Sequence, residues 1–142
     1  MKLPEWKNGA LLVLRIALGV IFVMHGSQMV LGLFGGDGLK VTIQKFSETG
    51  IPPVWGYTAA FTELLGGAAL VLGLLTRLAA VGIGTTMVVA VWRVHLPHGF
   101  FLQNQGYEYN LALFAMSAAL VLMGGGNYSL DAKFFGHPRS GD

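Results

Sequence analysis

The sequence predicts an all-α integral membrane protein: a four-transmembrane-helix up-down bundle with a short amphipathic helix in the first outer loop. Three observations predict it. The 142 residues are 54% hydrophobic and 11% charged, where a soluble domain carries about 25% charged residues. The mean hydropathy is +0.61. The apolar residues gather in four long stretches, at about 9–34, 54–76, 78–96 and 108–124. The whole chain, 1–142, reads as one transmembrane domain.

Each stretch carries its own boundary signals. A helix needs about 20 residues to cross the hydrocarbon. The first three are long enough, and the fourth spans when it begins at Glu108 and tilts little. The first stretch holds Arg15 and His25 and lacks a small-residue cleavage site, so it reads as a retained helix and not a signal peptide. Pro52 and Pro53 precede the second, where proline suits a first helical turn. Pro97 ends the third, because the residue before proline avoids the helical region. Gly124, Gly125 and Gly126 end the fourth. Between the first two, Leu39, Ile43 and Phe46 recur at helical spacing and predict the amphipathic surface helix.

The positive residues set the orientation. Lys2, Lys7, Arg77, Lys133 and Arg139 fall in the N-terminus, second loop and tail, against Lys40 and Lys45 in the first and third loops. Positive residues stay inside. Both termini are therefore expected in the cytoplasm, with the chain multi-pass in the membrane. The net charge of +2 comes without a basic run, so no nucleic-acid partner is expected. The lipid bilayer is the first partner. There are no cysteines, which excludes disulfides, iron–sulfur clusters, thiolate metal sites and thiol relays built from this chain.

Ionisable side chains inside hydrocarbon cost at least about 2.5–3.5 kcal/mol at a helix centre, so they need partners or water. Arg15, His25, Glu63, Arg93, His95 and Glu108 lie inside the apolar stretches or at their mouths. Residues three, four and seven apart share a helix face. Arg15, Glu63, Arg93 and Glu108 each share one with glycine, alanine or threonine, and small residues mark where membrane helices approach. His95 falls about 200° around its helix from Arg93 on ideal geometry, and so faces headgroups or a neighbouring chain.

Two roles follow from depth. Arg15, toward the cytoplasmic side, and Glu63, near the midplane, are expected to form a structural ion pair; Arg93 is a further partner for Glu63 or Glu108. Toward the outer face His25, Arg93, His95, Asn104 and Tyr107, with Tyr109 nearby, are candidate ligand-binding residues. Glu63 and Glu108 are candidate catalytic groups that would handle protons. Arginine and histidine at this depth suit a quinone carbonyl or a small oxyanion. Haem ligation by His25 and His95 lacks a diagnostic spacing. No metal is expected, since no two-residue ligand motif is present. There is no phosphate loop, nucleophile elbow or zinc-protease helix.

Four blocks resemble the DoxX family. The first is Arg15-x-x-x-Gly19-x-x-Phe22-x-x-His25-Gly26. The second is Glu63-x-x-Gly66-Gly67-x-x-Leu70-x-x-Gly73-x-x-Thr76-Arg77. The third is Gly106-x-Glu108, and the fourth runs from Gly124 to Ser129-Leu130-Asp131. The resemblance extends over about residues 9–131. Family members often carry Lys where this chain has Met29, and Gly-Pro-Gly at Gly124–Gly126.

The resemblance implies a four-helix bacterial inner-membrane protein. It implies a membrane subunit of a redox or sulfur-linked system that takes quinone, with no covalent cofactor and with redox-enzyme partner subunits. Some members resemble the small subunit of a thiosulfate:quinone oxidoreductase; others associate with superoxide dismutase and a sulfurtransferase, and distant eukaryotic relatives act as membrane chaperones. A non-enzymatic scaffold or assembly factor, with structural intramembrane ion pairs, is the alternative. A small-solute transporter would need a homo-oligomer and shows no inverted repeat.

Overall fold

The computed structural model describes residues 4–136; Lys2 and Arg139, used for orientation, lie outside them. All regular structure among the described residues is helical. In chain order the helices are α1 (Glu5–Leu31), α2 (Gly38–Glu48), α3 (Pro53–Leu72), α4 (Thr76–Ala90), α5 (Glu108–Met123) and α6 (Leu130–Phe134). A π-helical turn, Val91–His95, and a 3-10 turn, Leu96–His98, prolong α4 into one continuous helical run.

Glycine sets the ends. α1 stops at Gly32 and α3 at Gly73, both with positive φ, so the second stretch ends four residues short of the expected boundary. The amphipathic helix of the first loop is α2. It buries Thr42 and Ile43, and Thr42 Oγ1 donates to the Met29 carbonyl at 3.2 Å. Helix α6 was not anticipated from the tail; its cap is Ser129, whose Oγ accepts from Ala132 N.

The four long helices pack α1 on α3, α3 on α4 and α4 on α5, with α5 returning to α1. Beside an apolar core that includes Leu18, Phe22, Leu70, Ile83 and Leu120, the bundle buries polar side chains and exposes apolar ones. Arg15, Asn8, Thr76 and Ser117 are buried, while Val13, Val20, Leu65, Leu78, Val88, Leu111 and Leu122 are exposed. Such an apolar surface is unstable in water and at home in lipid. Two runs are long and apolar enough to cross a membrane, Glu5–Leu31 and Thr76–His98. α5 is apolar but has 16 residues, about 24 Å of helix at ~1.5 Å per residue.

The α1–α3 contact is made by backbone. A Cβ on Gly67 would lie 2.6 Å from Val23 N and 2.9 Å from the Gly19 carbonyl, and one on Gly26 would collide with the Leu64 backbone. The small-residue face expected on these helices is therefore real, and it fixes their register: Gly19 faces Gly67 and Val71, and Gly26 faces Leu64.

That register overturns the expected Arg15–Glu63 ion pair. Among the described residues Lys45–Asp37 forms a salt bridge, and Arg15, Glu63, Arg93 and Glu108 form none with each other. Glu63 lies eight residues before Val71 on α3, roughly 12 Å along the axis from the level of Arg15. Arg15, only 1% exposed, turns instead to main-chain oxygens. Nη1 donates to Val71 O at 3.3 Å and Nη2 to Tyr128 O at 2.6 Å.

Arg15 thus joins three pieces of chain at one end of the bundle. The Asp131 carboxylate accepts from Leu75 N and Thr76 N at 2.6 and 2.8 Å, and Asp131 N donates to Gly73 O at 2.8 Å. These bonds satisfy the first amides of α4, which helix geometry leaves without partners. Asn8 Oδ1 accepts from Asn127 N at 3.0 Å. The Glu5 carboxylate accepts from the Tyr128 hydroxyl at 2.8 Å, which holds that phenol above the ordinary tyrosine range.

Arg15→Met should therefore destabilise the protein by about 1–3 kcal/mol for each carbonyl left buried and unpaired, whereas Glu63→Gln should change stability by less than about 0.5 kcal/mol. Reversible unfolding in detergent measures both; equal losses would restore the ion pair.

Candidate functional site

At the end of the bundle opposite this lock, the helices part around a cavity of about 800 Å³. Its wall is mostly carbon: Phe22 and Met29 from α1, Phe46 and Ile51 from α2 and the segment after it, Trp55 and Ala59 from α3, Met87, Val89 and Trp92 from α4 and the π turn that prolongs it, and Leu113 from α5. Into it project His25, Glu63, Arg93, His95, Tyr109 and Asn110. A largely apolar hollow with a few convergent polar groups is the usual form of a small-molecule site.

The local fold explains each placement. His25 precedes Gly26, and Glu63 precedes the Leu64 against which Gly26 is pressed, so the glycine contact brings the imidazole and the carboxyl to the same level. Glu63 is half-buried and His25 more open. Arg93 and His95 both sit on the π turn. The Arg93 guanidinium lies over the Trp92 ring, 5.0 Å from its centre, and reaches toward Gly50 after α2. Both side chains line the cavity, the His95 ring held by the Gln105 carbonyl of the following loop; the outward placement expected for His95 is corrected. π turns inserted in α-helices recur at functional sites.

Hydrogen bonding divides the polar groups. His95 Nδ1 is 2.7 Å from Gln105 O, and Asn110 Nδ2 lies 3.6 Å from Met87 Sδ. Glu63, Arg93 and His25 have neither an ion pair nor a side-chain hydrogen bond among the described residues. Three polar groups without a hydrogen-bond partner, around one hollow in an apolar bundle, leave their hydrogen-bonding capacity to whatever enters it.

Three expected residues fall elsewhere. Asn104, Tyr107 and Glu108 are not in the cavity wall. Asn104 closes a 3-10 turn, and the Tyr107 ring packs edge-on against Phe100 at 5.6 Å. Glu108 is the first residue of α5, as expected, and its amide donates to Phe100 O at 2.9 Å. Glu108 N and Tyr107 N tie the loop back on itself, so backbone geometry occupies this region. Sequence reasoning missed Trp55, Thr62, Trp92 and Asn110. Asn110, a lone amide in the apolar run of α5, was the legible signal among them.

A family model described as DoxX matches residues 10–96, a range that includes His25, Glu63, Arg93 and His95. A Bacillus subtilis protein named "Putative oxidoreductase CatD" is 34% identical over 131 residues, covering 92% of this chain and 91% of that protein. An uncharacterized Haemophilus influenzae protein is 29% identical over 140 residues, covering 94% and 96%. No solved structure matches the chain.

Because the chain has no cysteine, one introduced thiol reports cavity access without background. Thr62→Cys, in the wall, should react with a small methanethiosulfonate reagent in detergent. Ala60→Cys, two residues away and fully buried, should remain unmodified in the same mass-spectrometric assay.

Proposed function

The chain belongs to the DoxX family, and from that premise we propose that it is a membrane subunit of a redox system that binds quinone in the cavity bounded by His25, Glu63, Arg93 and His95. The observation that carries this reading is the set of unpartnered polar groups in an otherwise apolar hollow. A quinone is a flat apolar ring with two carbonyl acceptors. Arg93 offers donors only, and the aromatic and aliphatic wall accepts the ring and the start of its tail. Glu63 and His95 are the groups that can exchange protons with the bound ring. A small oxyanion would use Arg93 as well, but would leave most of an 800 Å³ apolar space unfilled.

In this reading all four long helices span the bilayer, with both termini on the cytoplasmic side of the bacterial inner membrane. Support comes from exposed aromatics at both ends, Trp55, Trp92, Phe100 and Phe101 at one and Trp6, Tyr128, Phe134 and Phe135 at the other, with Phe61 and Phe114 between them. Aromatic belts of this kind sit at membrane interfaces. Lys7, Arg77 and Lys133 fall at the second end, beside the Arg15 lock. The relative named as an oxidoreductase supports a redox setting. With no cysteine in the chain, electrons come from or pass to a partner subunit.

A non-enzymatic scaffold is the second reading. It is favoured by the lock, where Arg15, Gly73, Thr76 and Asp131, all residues of the DoxX-like blocks, hold structure together far from the cavity.

Protein purified in native lipid should carry extractable quinone, and a decyl-substituted benzoquinone should quench the fluorescence of Trp55 and Trp92. Arg93→Ala should weaken that binding at least about tenfold, as expected for losing a hydrogen bond from a charged donor, while Glu108→Gln should leave it unchanged. No bound quinone and no quenching would favour the scaffold.

A further inference from the structure

His95 differs from the other polar groups of the cavity in one respect: its tautomer is fixed by the fold. Its Nδ1 lies 2.7 Å from Gln105 O. A carbonyl oxygen has no proton to give, so Nδ1 carries the hydrogen. In the neutral ring Nε2 is then a bare acceptor.

The partner carbonyl is itself built in. Gln105 sits in the left-handed region at φ 61, unusual for a residue other than glycine. Its amide donates to Leu102 O at 2.8 Å, and Gly106 N donates to Phe101 O at 2.9 Å. A Cβ at Gly106 would collide with Gly99 O, so the loop closes on glycine. The bond to His95 joins this closed loop to the π turn of the preceding helix. His25, in the same wall, has no hydrogen bond among the described residues to choose between its two nitrogens.

We propose that His95 is a fixed hydrogen-bond acceptor in the cavity and that it selects the hydroxyl-bearing, reduced form of an aromatic redox lipid, a quinol, over the quinone. The proposal rests on reading the cavity as a quinone site. Arg93 has only donors and neutral His95 presents only an acceptor. A quinol satisfies both: one oxygen accepts from Arg93 and the opposite hydroxyl donates to Nε2. A quinone sets a carbonyl lone pair against the Nε2 lone pair with no proton between them. That mismatch forfeits the hydrogen bond that the quinol makes. The proposal concerns which form is held; it invokes no electron transfer.

Two measurements on the whole protein in lipid nanodiscs test it. The first needs no ligand. Nitrogen-15 spectra of histidine-labelled protein, with the His95 signal assigned by its loss in His95→Asn, should show Nδ1 protonated and Nε2 bare; an Nε2–H tautomer overturns the proposal. The second is anaerobic calorimetry with a decyl-substituted benzoquinol and the matching benzoquinone.

Wild type should bind the quinol at least about tenfold more tightly, the scale of one well-made against one unmade buried hydrogen bond. In His95→Asn the side-chain amide can keep the bond to Gln105 O but removes Nε2. That variant should lose the preference, its quinol affinity falling and its quinone affinity holding or rising because the opposing lone pair is gone, whereas a merely structural histidine would weaken both forms alike. His95→Gln serves the same purpose should the asparagine variant melt early. A wild type without preference, or a preference that survives both substitutions, overturns the proposal and leaves the quinone site standing. A wild type that binds neither form removes both readings.

Discussion

A guanidinium sealed inside an apolar bundle must find acceptors, and Arg15 finds them in the main chain. Val71 and Tyr128 supply carbonyl oxygens from the end of α3 and from the segment after α5. Asp131 adds negative charge at longer range while capping the start of α4. Every long helix is reached by this network, directly or through its terminus. The cost of a bare charge in hydrocarbon thereby becomes a force for assembly, since no subset of these segments can satisfy the arginine alone.

The opposite end is organised by the contrary condition. Glycine contacts bring α1 and α3 together down to the level of Gly26 and Leu64, and above them the polar groups point into a hollow and not at each other. Oppositely charged groups share that hollow without forming an ion pair. The bundle therefore separates its two tasks by depth: at the lock two guanidinium nitrogens are held on carbonyls and Nε is sealed without an acceptor, while at the cavity charge is left available.

Much of this was legible in the sequence because hydropathy, proline and glycine act locally. The long helices and α2 follow from them, and the cluster of His25, Glu63 and Arg93 follows from helical phase and depth. Three things were not legible. Charge balance made Glu63 the natural partner of Arg15, yet free carbonyls at helix ends compete equally well and carry no sequence mark. His95 lines the cavity while its ring is held by the Gln105 carbonyl of the following loop; a contact to a loop carbonyl leaves no pattern in apolar periodicity. Loop closure through Gly99, Gly106 and their neighbours claimed Tyr107 and the Glu108 amide for backbone geometry, which composition alone could not separate from a ligand role.

The π turn also constrains chain length. It holds one residue more than the same stretch of α-helix would need. Deleting one residue between Ala90 and Leu96 would let the helix continue in α form and leave the chain on either side close to where it is. What would be lost is the extra position in the turn that carries Arg93 and His95. The length of this turn thus serves the cavity and not the span of the membrane. Relatives that vary freely in length elsewhere are expected to keep this interval intact wherever they keep the histidine.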